Sequence, residues 1–152
     1  MENKIKRLKF VCNTLDVIVG ITLIILGAIG GLSCLGSGSD ESGKVIALTI
    51  LAIIFIPIFF TFIIYGVVLI IHGFVNSIRI ARNKNALTNK TGPIVFVIFN
   101  SVFFVFSLFF ALIFDDSWQI AKLVGAAILI ISNIFKLVFL FKLKEFQKEL
   151  VN

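Results

Sequence analysis

Four long apolar runs, separated by short polar segments, dominate this sequence of 152 residues. Each run is about as long as the roughly 20 residues that cross a bilayer as a helix. Charged residues make up only 14% of the chain, against about 25% in soluble domains. A soluble fold of this length has too little interior to hide four such runs. We therefore predict an all-α, polytopic membrane protein that forms a single domain without a soluble part.

The polar segments alternate in charge along the chain, and this alternation predicts the topology. Basic residues precede the first run, fill the connection between the second and third runs, and follow the fourth run. The two remaining connections are acidic, with Lys44 and Lys122 as the only basic residues beside them. Because Lys and Arg near span ends are retained on the cytoplasmic side, we expect a protein of the cell membrane with both termini in the cytoplasm.

We place the four spans at about residues 10–35, 45–78, 94–114 and 118–141, as transmembrane helices in an antiparallel bundle. The second span exceeds the length that the hydrocarbon core requires, which implies a tilt or a kink. Pro57 lies within it and removes one backbone hydrogen bond, so the helix is expected to kink there. A hairpin broken at Pro57 is the alternative, but it would leave the basic middle connection outside.

Small residues recur along the first span and predict a helix-packing face. Asn13, Gly20 and Gly27 follow one another at intervals of seven residues, and Gly27 with Gly31 forms a GxxxG pattern. Such residues let helices approach closely in lipid, where packing drives association. We assign Gly20, Gly27 and Gly31 to packing within the bundle, with a contact between two copies as the alternative. This role argues against a cleaved signal, although residues 31–34 look faintly like a lipoprotein cleavage site.

Polar and titratable residues inside the predicted spans point to a buried cluster. A charge at the centre of a span costs about 2.5–3.5 kcal/mol on insertion scales. In the predicted topology Asp16, His72 and Lys136 lie at similar depth in the cytoplasmic leaflet, with Asn100 and Asn133 nearby. Helical spacing places these residues on stripes that we expect to face each other. Buried carboxylates need partners, so Asp16 is expected to pair with Lys136 or His72.

Each titratable residue of this cluster also has a simpler interpretation. Asp16 would lie in the headgroup region at the start of its helix. Lys136 would extend its side chain to the cytoplasmic interface. His72 would be a hydrogen-bonded packing residue rather than a proton relay or a ligand.

The sequence shows no catalytic motif and no set of metal ligands. The single histidine has no acidic or thiol partners at the spacing of a zinc site. Phosphate-binding loops and nucleophile elbows are also missing. The basic residues flank apolar spans instead of forming a continuous stripe, which argues against nucleic acid. We therefore expect neither an enzyme nor a cofactor, and we expect the lipid bilayer, a second copy or another membrane protein as partners.

Three functions fit these features. The favoured one is a small, non-catalytic, multi-pass membrane protein that binds a membrane partner or a membrane-active agent, as immunity, defence-accessory and assembly proteins do. The second is a small transporter or channel assembled from several copies, and the third is a holin-like pore-forming effector. The abundance of Ile and Phe favours a bacterial source.

Overall fold

The computed structural model describes residues 2–36, 42–82, 91–113 and 119–151, and all of these residues lie in four helices. The helices are α1 (Glu2–Gly36), α2 (Ser42–Arg82), α3 (Thr91–Ile113) and α4 (Gln119–Val151). Each contains a stretch long and apolar enough to cross a membrane. This confirms an all-helical protein with four candidate spans. The polar connections that separate the predicted spans lie outside the described residues.

Two of the helices extend well beyond the predicted spans. α1 begins at Glu2, ahead of the span placed at residues 10–35, and α4 continues past the span placed at residues 118–141 as a helical tail to Val151. Both extensions are amphipathic: Ile5 and Leu143 belong to one buried apolar cluster, whereas Lys4 and Lys144 are exposed. Hydropathy predicts that a span ends where charged residues begin. A helix that packs one apolar face against its neighbours can continue beyond that point into water.

α2 is a single helix that passes through Pro57 without interruption. The hairpin broken at that residue therefore does not occur. The kink at Pro57 and the orientation of the termini stay predictions.

α1 and α2 make the closest helix contact, and glycines form it. Gly20 and Gly66 face each other, because a Cβ built on either one would lie 2.5 Å from the carbonyl oxygen of the other. Seven residues further along each helix, Gly27 and Gly73 meet the opposite backbone in the same way. Residues with higher numbers on α1 contact residues with lower numbers on α2, so the two helices run in opposite directions.

Gly30, and not Gly31, is the next glycine of this contact. A Cβ on Gly30 would collide with the ring of Phe59, whereas a Cβ on Gly31 would have no neighbour within 4 Å among the described residues. The assignment of Gly31 to the packing face stays a prediction, because no atom of the described residues lies against it. Gly30, three residues after Gly27, lies on the packing face. Gly31 follows it and is rotated around the helix axis by about a further 100°.

α3 and α4 complete the interior in two different ways. Gly125 of α4 fits against the side chain of Leu26 in α1. α3 packs against α2 through aromatic side chains. The ring of Phe103 stacks on that of Tyr65, with centroids 4.7 Å apart, and makes an edge contact with the ring of Phe62, with centroids 4.6 Å apart. Bulky rings hold α2 and α3 further apart than glycines hold α1 and α2.

Large apolar side chains cover the outside of all four helices. Phe60, Phe74, Ile120 and Phe141 are each at least 60% exposed. An apolar surface of this extent is unfavourable in water and favourable in lipid. Together with the four candidate spans, it identifies a small multi-pass membrane protein.

Replacing Gly66 with Ala should weaken the α1–α2 contact. The added methyl group would meet the Gly20 carbonyl, and backbone cannot yield as a flexible side chain does. We expect the free energy of unfolding in detergent, measured by titration with SDS, to fall by about 1–3 kcal/mol.

Gly31→Ala is the matched control. Its methyl group would meet no atom of the described residues within 4 Å, and Ala favours a helix over Gly by up to about 1 kcal/mol. Equal losses in both variants would contradict the glycine contact.

Candidate functional site

A polar cavity of about 90 Å³ lies among the four helices, towards the end where α1 and α3 begin and α2 and α4 end. On α1 and α2 its lining residues recur at helical spacing, so each helix turns one polar stripe inward. Its walls are formed by Lys9, Cys12, Asn13, Asp16, His72, Asn76, Arg79, Gly92, Pro93, Lys136 and Phe139.

An ion pair between α1 and α4 forms the deepest part of this cavity wall. Lys136 Nζ lies 2.5 Å from Asp16 Oδ1, and both side chains are at most 3% exposed. The other carboxylate oxygen, Asp16 Oδ2, lies 3.4 Å from His72 Nδ1 on α2. The structure therefore brings Asp16 together with both of the partners that the sequence offered for it. Taking two charges out of water is unfavourable, so each depends on the other.

His72 is oriented by Asn76, one helical turn further along α2. The Asn76 amide nitrogen lies 2.6 Å from His72 Nε2. An amide nitrogen only donates, so Nε2 accepts and the proton of the neutral ring lies on Nδ1, which faces Asp16. The edge of the imidazole also contacts the ring of Phe96, with centroids 4.2 Å apart. With this tautomer the imidazole turns its Nδ1 towards the Asp16 carboxylate.

Asn100 and Asn133 do not join this cluster. Asn100 is buried and accepts a hydrogen bond of 3.0 Å from the Tyr65 hydroxyl. The ring of Phe96 contacts both His72 and Tyr65, so it separates Asn100 from the ion pair.

Asn133 lies three residues before Lys136 on α4, and its side chain turns to α3 instead. There it donates a hydrogen bond of 3.1 Å to the hydroxyl of Ser101.

Sequence reasoning missed Lys9 and Asn13 as members of the site. In the sequence Lys9 has the position of an ordinary basic residue that flanks a span. In the structure it is only 6% exposed, and its ammonium group lies 5.7 Å from the ring centroid of Phe139. Asn13 reads as part of a small-residue face. The signal that could have found them is spacing, because both lie on the same α-helical face as Asp16.

The described residues contain no group of three His, Cys, Asp or Glu side chains placed to hold a metal ion. The site instead brings a carboxylate into contact with an ammonium group and an imidazole, beside a small polar space. Comparison with known proteins gives no match, whether to family models, to curated proteins or to solved structures.

A double-mutant cycle should reveal the coupling between Asp16 and Lys136. Asp16→Ala and Lys136→Ala each leave one buried charge without its partner, so each should lower the free energy of unfolding in detergent by about 3 kcal/mol. The double variant leaves neither charge, and its loss should be well below the sum. The measurement is again titration with SDS.

The control is Lys142→Ala on the same helix. Lys142 Nζ lies 2.9 Å from Glu145, but both side chains are more than half exposed. Its loss should stay below about 1 kcal/mol. Additive losses at Asp16 and Lys136, within about 0.5 kcal/mol, would show that the pair is not coupled.

Proposed function

We propose that this protein is a small, non-catalytic component of the cell membrane that acts by binding a membrane-embedded partner or a membrane-active agent. The observation that carries the proposal is an apolar cleft of about 400 Å³ between α2 and α3. The cleft is lined by Pro57, Ile58, Thr61, Phe62, Phe99, Val102, Phe103 and Phe106.

The cleft follows from how α2 and α3 pack. Phe62 and Phe103 are buried and form its floor, whereas Phe99 and Phe106 are exposed along its α3 edge. Thr61 lies on the α2 edge, and its hydroxyl donates to the carbonyl of Ile58 at 2.6 Å. The cleft therefore offers apolar surface to the membrane, which suits an apolar helix or acyl chain better than a polar solute.

Pro57 is placed to shape this cleft. It is exposed at the cleft edge and cannot donate a backbone hydrogen bond to the carbonyl of Ile53. The kink proposed at Pro57 would turn the two halves of α2 relative to each other and set the width of the opening.

The orientation that we propose places the polar cavity on the cytoplasmic side. Lys9, Arg79 and Lys142 come from three helices whose ends meet at this level of the structure. Basic residues are retained in the cytoplasm, so both termini would lie there. A four-helix bundle in this orientation would expose its cleft within the bilayer.

A transporter or channel built from several copies is the second candidate, and the polar cavity is the observation that favours it. Within one copy, the described interior beyond that cavity holds large apolar side chains such as Leu23, Phe62 and Leu129, together with a few buried polar ones, among them Asn100 and Ser132. A pathway wide enough for a solute would form between copies. Ion or solute flux in proteoliposomes would support this candidate.

Photocrosslinking in native membranes tests the docking role of the cleft. A benzophenone amino acid at position 99 lies on the cleft edge and should give a discrete protein adduct. The same amino acid at position 135 is the control, because Phe135 is also exposed but lies on α4, outside the residues that line the cleft. Protein adducts from both positions alike, or lipid adducts alone from both, would contradict the proposal.

A further inference from the structure

The polar cavity carries more positive than negative charge. Among its described lining residues, Lys9, Arg79 and Lys136 are cationic and Asp16 is the single carboxylate. Each Asp16 oxygen faces one of these neighbours: Oδ1 lies 2.5 Å from Lys136 Nζ, and Oδ2 lies 3.4 Å from His72 Nδ1. The lining residues therefore carry three cationic side chains against one carboxylate, a formal charge of +2 with His72 counted as neutral.

The cavity also offers hydrogen-bond donors that the described residues do not use. The amide nitrogen of Asn13 is buried and has no hydrogen-bond partner among them. Lys136 has three N–H donors, and Asp16 is its only ion-pair partner within the same described residues. Buried donors are nearly always paired in proteins, so an acceptor is expected in this space.

The first turn of α3 adds to this preference. Gly92 and Pro93 line the cavity, and α3 begins at Thr91. The start of a helix carries partial positive charge and favours anions. A Cβ on Gly92 would lie 3.5 Å from His72 Nε2. A larger side chain at this position would therefore reduce the space beside the imidazole.

We infer that this cavity binds the phosphate group of an anionic ligand. Its volume of about 90 Å³ leaves room for a group as small as one tetrahedral oxyanion. The excess positive charge, the Asn13 amide and the start of α3 all favour the same chemistry. The phosphate is either free inorganic phosphate or the headgroup of an anionic lipid. This inference does not depend on the apolar cleft between α2 and α3.

The test measures phosphate binding by purified protein in two settings. In neutral detergent, inorganic phosphate is titrated while the midpoint of thermal unfolding is followed. In nanodiscs, retention of phosphatidylglycerol is compared with that of phosphatidylcholine by native mass spectrometry. Stabilisation by inorganic phosphate identifies the free ion, whereas preferential retention of phosphatidylglycerol alone identifies the lipid headgroup.

Arg79→Gln is the informative variant, and Arg82→Gln is its control. Both residues are exposed near the end of α2, but only Arg79 lines the cavity. We expect Arg79→Gln to weaken the apparent affinity about tenfold, and Arg82→Gln to change it less than twofold. Gly92→Leu, which fills the space beside His72, should reduce binding without removing any charge.

Two results would overturn the inference. One is the absence of any response to phosphate together with equal retention of the two lipids. The other is an equal loss in Arg79→Gln and Arg82→Gln, because that would show general attraction to a basic surface instead of binding in the cavity.

Discussion

The contact between Asp16 and Lys136 constrains most of the remaining structure. A buried ammonium group is tolerated in a membrane protein only where a counter-charge neutralises it, and here that counter-charge comes from a different helix. Because side-chain directions along a helix are linked by about 100° per residue, the contact also sets how α1 and α4 are rotated. With Asp16 facing α4, Gly20 faces α2. With Lys136 facing α1, Gly125 lies against Leu26.

α2 makes two kinds of contact along its length, and their difference produces the cleft. Gly66 allows α1 to approach until backbones touch. Tyr65, the preceding residue, turns to α3 and stacks on Phe103. The side of α2 that faces α1 is therefore tightly packed, whereas aromatic rings keep α3 further away on the other side. The polar cavity and the apolar cleft are separated along α2, so an ion and an apolar partner need not compete for one site.

The sequence was sufficient to predict the all-helical class and the four candidate spans, because hydropathy shows directly whether a segment is more stable in lipid or in water. It also offered both partners of Asp16, since helical spacing and depth restrict which side chains can meet. The packing role of Gly31 stays a prediction, and a GxxxG pattern alone does not indicate which phase of the helix faces a neighbour. Gly66 was missed for a related reason: its role depends on the carbonyl of Gly20 in another helix. The kink at Pro57 and the orientation in the membrane stay predictions.

The ion pair also has a consequence for biosynthesis. Residues 16 and 136 lie near opposite ends of the chain, so the acid enters the bilayer long before its counter-charge has been translated. Domains are completed in the order in which the ribosome delivers their segments, and here the last helix completes the charge balance of the first. A nascent chain that stops before α4 has His72 of α2 beside Asp16 but lacks the ammonium group that balances the carboxylate. Insertion of α4 is therefore the step that balances the charge buried in α1.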